Sequence, residues 1–296
     1  MMFRPPIIEA TLFTELPREL HYEGEPTAWV RMTRPGQRLH SFLEGLCFTA
    51  DDTLWLVDVP YGRVFTIAPS GAWTLAMSYD GEPHSLKPWN DGDFALVDHK
   101  RGLHRFAPAS KRMEVVAASY NGAPFRGLSD IALAPNGDIW FTEPGRTSLS
   151  DPTGRLFCYR KDGGLQQVLA NIPFPNGVAL SPDGKFVYVA VTRANAVWRL
   201  FADVAPQTIP MVGTYIQLSG GLGPDGLAVD ARGRLAVAHA QAGRAFLFDA
   251  LGDPLLEIRI PKGAWTTSVA FSRDETELYI ADAQHGAIWR TKLPTD

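Results

Sequence analysis

Cysteine is almost missing from this chain: Cys47 and Cys158 are the whole complement of 296 residues. Two thiols cannot build a disulfide scaffold, and both lie in apolar stretches of strand character. They read as buried free thiols of a protein from a reducing compartment. Long hydrophobic runs are absent as well. None approaches the roughly 20 residues of a membrane-spanning helix, and the opening Met-Met-Phe-Arg-Pro-Pro lacks the apolar core of a signal peptide. Charge of one sign is not in excess either. The formal charge is -4 with both signs mixed along the chain, leaving no basic stripe for nucleic acid and no polybasic segment for anionic lipid. These absences predict a soluble, cytoplasmic protein with neither nucleic-acid nor membrane partners; they leave the oligomeric state open.

Certain chemistries are missing too. No Gly-x-Ser-x-Gly elbow occurs, which disfavours a nucleophilic-serine esterase. Neither Walker nor Rossmann spacing falls in a strand-then-helix context, which removes nucleotide cofactors from the favoured readings. No amphipathic helix of useful length is written anywhere.

What is present is a repeat. A polar residue precedes a short apolar strand, and a tight turn closes eight positions on. The polar residues are Glu44, His84, Ser129, Asn176, Asp225 and Thr267, each 40 to 49 residues after the last. That period belongs to propeller blades. Each repeat continues with a strand rich in Trp, Val, Ile and Phe, then a third strand, with a weaker fourth, as in Gln166–Leu169 and Leu255–Ile258. β-branched and aromatic strands between Gly, Asn and Asp turns are the chemistry of a β-meander. The sequence therefore predicts an all-β, six-bladed β-propeller over residues 1–296 as a single domain. About 40 N-terminal residues fit no repeat. Ile7–Ala10 and Thr27–Arg31 read as extended, and an N-terminal strand is expected to close the ring as the outer strand of blade six.

A propeller carries equivalent residues of all blades to one level around one axis. The six polar residues would then line one mouth of the central channel. Glu44 and Asp225 would repel there unless a cation or a proton stood between them. With Asn176 they form an oxygen-rich set without thiolates, which favours Ca²⁺, Mg²⁺ or Mn²⁺; the imidazole of His84 would also admit Fe²⁺ or Zn²⁺. Gly45, Gly177 and Gly226, each following a polar residue, allow close backbone approach.

The boxes Glu44-Gly45-Leu46, Pro175-Asn176-Gly177-Val178-Ala179-Leu180-Ser181-Pro182-Asp183 and Gly223-Pro224-Asp225-Gly226-Leu227-Ala228-Val229-Asp230 resemble those of the regucalcin/gluconolactonase (senescence-marker-protein type) family. So do Ile139-Trp140-Phe141-Thr142-Glu143-Pro144 and Trp265-Thr266-Thr267-Ser268-Val269-Ala270-Phe271. The resemblance spans about residues 40 to 290. It implies a metal-dependent hydrolase of sugar lactones or related esters, with one divalent cation, commonly Ca²⁺, held by Glu44, Asn176 and Asp225. The chain departs from the family at Ser129 and Ser268, where the family carries Asn. Both shorter side chains imply a roomier substrate site.

In this reading Asp225 is the candidate general base, with Asp130 as a second candidate, although an acid in such a turn also caps backbone amides. Ser129, His84, Arg126, Trp265 and Ser268 are the candidate substrate contacts. Arg126 would grip a carboxylate or hydroxyl, and Trp265 would stack on a ring. The competing functions are a phosphotriesterase-like hydrolase, whose P=O group the same cation would polarise, and a non-catalytic calcium-binding or interaction propeller.

Overall fold

In the computed structural model, which describes residues 5–205 and 208–294, strands dominate and form six blades of four antiparallel strands, one of them extended by a fifth. The innermost strands are Leu43–Phe48, Pro83–Pro88, Ile131–Leu133, Pro175–Leu180, Gly223–Val229 and Thr266–Phe271. Each leads outward through a meander, so the predicted β-propeller is the observed fold. The described residues contain no helix long and apolar enough to cross a membrane.

Strand periodicity explains where the core lies. Blades are buried on both faces, and apolar side chains from neighbouring blades interdigitate in separate clusters rather than around one centre. Leu86, Phe94, Leu96 and Phe106 of blade two meet Val57 and Val64 of blade one. Blade six meets blade one through Ala281 and Ile288 against Leu43, Leu56 and Phe65. Cys47 and Cys158 are free and buried in this packing.

The ring closes through the N-terminus. Strand β1 (Ile7–Glu9) runs parallel to the outer strand Pro254–Arg259 of blade five, with Ile7 opposite Glu257. Strand β2 (Thr11–Glu15) is antiparallel to Ala287–Lys292 and forms the outer strand of blade six. An outer edge is thereby covered instead of left open to association.

One extended segment expected from the sequence is a helix. Residues Ala28–Thr33 form α1, with Thr27 as its N-cap accepting a hydrogen bond from the Val30 N–H at 3.3 Å. The β-branched and aromatic residues that suggested a strand serve tertiary packing: Trp29 and Val30 are buried against Phe42, Val59 and Ala283. Packing overrides propensity in so short an element. The helix lies at the channel mouth, where Trp29 and Arg34 reach the cavity described next.

Candidate metal and substrate site

A cavity of about 420 Å³ opens at the mouth. Glu44, His84, Ser129, Asn176 and Asp225 line it, as the repeat predicts. Thr267 does not take part: it is fully buried, and its Oγ1 donates to the Leu43 carbonyl at 2.7 Å, tying blade six to blade one. A larger cleft of about 530 Å³ lies around the turn residues Asp52 and Asp274 on the opposite face, and none of its acids is buried.

The polar residues meet because glycine lets the inner strands approach. A Cβ on Gly177 would stand 2.2 Å from the Asp225 carbonyl oxygen, and one on Gly45 2.8 Å from the His84 carbonyl. One on Gly226 would stand 2.8 Å from the carbonyl of Thr267. Each of these glycines faces the inner strand of the next blade, so the site's backbone spacing depends on them.

The carboxyls of Glu44 and Asp225 share this confined space. Removal from water pushes the Glu44 carboxyl well above its ordinary range, with Asp225 and then Asp130 adding to the effect. Asp225 is raised in the same way by burial and by Asp130. Arg34 and the Asn176 amide, which hydrogen-bonds Asp225, pull in the opposite direction. Ser129 Oγ donates to Asn176 Oδ1 at 2.7 Å. The imidazole of His84 is held neutral, first by burial and then by neighbouring His99, and its Nε2 has no hydrogen-bond partner.

Asp130 is placed differently from the expectation of a general base. Its Oδ1 accepts the Ile131 N–H at 2.8 Å and its Oδ2 the Val178 N–H at 2.9 Å. Both oxygens are engaged by backbone, so the acid fastens blade three to blade four. Arg126 does not reach the cavity. It pairs with the buried Glu143, donating from its backbone N–H at 2.7 Å and from Nη2 at 3.2 Å, in company with Arg155. Ser268 also points elsewhere, its Oγ accepting the Leu46 N–H at 3.0 Å. Asn and Ser differ in reach, and here the shorter side chain bridges blades six and one.

Trp265 does line the cavity, but its face is already covered. The Arg34 guanidinium carbon lies 3.4 Å from the Trp265 ring centroid and 5.0 Å from that of Phe42. Sequence reasoning missed Arg34, along with the cavity residues His99, Arg146 and Arg193. Arg34 lies outside every repeat and His99, Arg146 and Arg193 lie between strands, so no period marks them.

The donor set can be tested against a divalent cation. Among the described residues no three His, Cys, Asp or Glu side chains come together as a metal site, so a carboxamide has to complete the set. Asn176 would supply that third oxygen beside the two raised carboxyls, whose repulsion a dication would relieve. An all-oxygen set of this kind fits a hard cation.

Residues 42–291 match the SMP-30/gluconolactonase/LRE-like region. The chain belongs to that family. A lactonase drp35 of Staphylococcus epidermidis is 28% identical over 243 residues, covering 79% of this chain and 73% of the relative. The drp35 of Staphylococcus aureus MW2 is likewise 28% identical over 241 residues, with the same coverage. Among solved structures, a gluconolactonase of Xanthomonas campestris superposes with a TM-score of 0.74 at 22% identity, covering 86% of both chains. A calcium-binding regucalcin of Agrobacterium tumefaciens gives 0.72 at 23% identity over 95% of each chain. At such identities the structural likeness shows the fold.

Proposed function

We propose that this chain is a lactone hydrolase that binds one divalent cation, Ca²⁺ first, through Glu44, Asn176 and Asp225 at the channel mouth. The observation that carries the reading is the pair of carboxyls, Glu44 and Asp225, each raised by burial and Glu44 further by Asp225. Family membership and the drp35 relatives, which are named lactonases, support a lactone as substrate.

When bound, the cation supplies Lewis acidity toward a carbonyl oxygen. The remaining roles fall to side chains. Asn176 hydrogen-bonds Asp225 and is itself held by Ser129, so the carboxylate is oriented before substrate arrives. Asp225 is the base that takes the proton of the attacking water, because Asp130 is committed to backbone amides. Trp29, Phe42 and Trp265 exclude water from one wall. The unpartnered Nε2 of neutral His84 can hydrogen-bond a ring hydroxyl, and the proton that Asp225 takes from water passes to the departing alkoxide oxygen.

The test is a panel of lactones, aryl esters and phosphotriesters, assayed before and after chelation and after readdition of Ca²⁺, Mg²⁺, Mn²⁺, Zn²⁺ or Fe²⁺. Lactone turnover that chelation abolishes and a cation restores is expected. Full activity with metal absence confirmed by elemental analysis overturns the cation. Preference for phosphotriesters would move the chemistry to P=O. Cation binding without turnover of any substrate would leave a calcium-binding propeller.

A further inference from the structure

The mouth carries more positive charge than its carboxylates can balance. Arg34, Arg146 and Arg193 all line the cavity, against Glu44 and Asp225. His84 and His99 add no charge, since burial holds both imidazoles neutral. Asp130 lies deeper, where Lys87 is its opposing charge. If a divalent cation occupies the two carboxylates, all three guanidiniums remain uncompensated.

Their surroundings keep them available. The Arg34 guanidinium donates to the Thr33 carbonyl at 3.1 Å and sits over the Trp265 ring, leaving most of its donors unused. The Arg193 guanidinium carbon lies 5.6 Å from the Phe174 ring centroid. Among the described residues, the exposed Arg146 and Arg193 side chains make neither a hydrogen bond nor an ion pair with a carboxylate. Some exposed arginines elsewhere find acids, as Arg101 finds Asp80 and Arg259 finds Glu257, while Arg112 finds none among the described residues; what sets Arg146 and Arg193 apart is that they line the cavity. Planar guanidiniums with free N–H edges, braced on aromatic rings, are suited to a carboxylate or phosphate.

We infer that the substrate is anionic: a lactone or cyclic ester carrying a carboxylate or phosphate group, which Arg146 and Arg193 receive at the rim while Arg34 faces the ring. This rests on the lactonase reading and names its substrate class. Lactone opening itself creates a new carboxylate beside the substituent's charge, so the same arginines would hold that charge during the product's departure. Electrostatic focusing by a cleft of net positive charge would also speed capture.

Two matched pairs test it: γ-carboxy-γ-butyrolactone against its methyl ester, and 6-phosphoglucono-δ-lactone against glucono-δ-lactone. Within a pair the ring is kept and the charge changes. The expected result is kcat/KM at least about tenfold higher for the charged member of one pair, the ratio falling several-fold as salt rises from about 0.05 to about 0.5 M. The pair that shows the preference distinguishes carboxylate from phosphate. In the Arg146→Gln/Arg193→Gln variant that ratio should fall toward one. Turnover of neutral lactones with a ratio at or below one in the parent overturns the inference and leaves the lactonase reading standing. So does a ratio that the double variant preserves. If no lactone is turned over, the lactonase reading fails, and tryptophan-fluorescence titration with the same pairs decides the anion site: equal affinity for charged and neutral members overturns it.

Discussion

The hydroxyl of Ser129 donates to Asn176 Oδ1 at 2.7 Å, linking blade three to blade four through the amide oxygen assigned to the cation. The sequence offered Ser129 as a substrate contact, and it does line the cavity. Its hydroxyl is spent on a proposed ligand side chain, which makes it a positioning residue in that reading. Ser129→Ala should release the Asn176 amide and weaken cation affinity roughly tenfold, as loss of such outer support usually does. Ser129→Asn restores a carboxamide and should tighten the site while favouring small sugar lactones. Calorimetry of cation binding checks both; affinities equal to the parent would reduce Ser129 to a loop residue.

Protonation of Glu44 and Asp225 should compete with the cation. Their folded values are raised, so above the ordinary carboxylate range the native chain keeps protons that the unfolded chain has released. Metal-free stability contributed by these groups is therefore lost as pH rises through that window. The depressed histidines work in the other direction: His239, for example, is lowered to about 4, and the stability of its neutral form is lost as pH falls below the unfolded value. Comparing thermal unfolding with and without Ca²⁺ from roughly pH 4 to 8 cancels contributions that the cation does not touch. The stabilisation by Ca²⁺ should grow with pH. A pH-independent difference would place the cation elsewhere.

Arg126 and Glu143 should separate stability from catalysis. Glu143 is fully buried, and Arg155 Nη2 donates to its Oε1 at 2.6 Å. Glu143→Gln leaves buried guanidinium charge unbalanced and should cost about 3–5 kcal/mol in urea unfolding. Arg126→Ala removes a half-exposed partner and leaves Glu143 paired with Arg155, so it should cost about 1 kcal/mol or less and leave the KM for lactones unchanged. A large KM effect would return Arg126 to the substrate site.

Gly177 is the spacing element most open to test. A methyl group there would stand 2.2 Å from the Asp225 carbonyl oxygen, so Gly177→Ala should cost roughly 1–3 kcal/mol and displace the Asp225 strand. Cation affinity should fall with it. Gly213, whose added Cβ meets nothing within 4 Å, is the matched control, and its alanine variant should stay within about 0.5 kcal/mol of the parent.

The sequence by itself determined the blades, because a strand's identity depends on local alternation and a turn's on Gly, Asn or Asp at a few positions. The same period brought Glu44, His84, Ser129, Asn176 and Asp225 to one mouth, since repetition converts an equal place in the repeat into an equal place around the axis. Only the tertiary structure decided which way the other polar groups turned. Thr267, Ser268 and Asp130 share the mouth's sequence context, yet their side chains join neighbouring blades. Arg126 turned to Glu143, a partner 17 residues away. Nothing local marks such choices, because each depends on where a donor or acceptor lies in the next blade. The α1 segment shows the same limit: Trp29 and Val30 have strand propensity, but the apolar hollow beside Phe42, Val59 and Ala283 took them as a helix and set Arg34 on Trp265. That hollow exists only once blades one and six have met, so the site's cationic wall could be written by the fold alone.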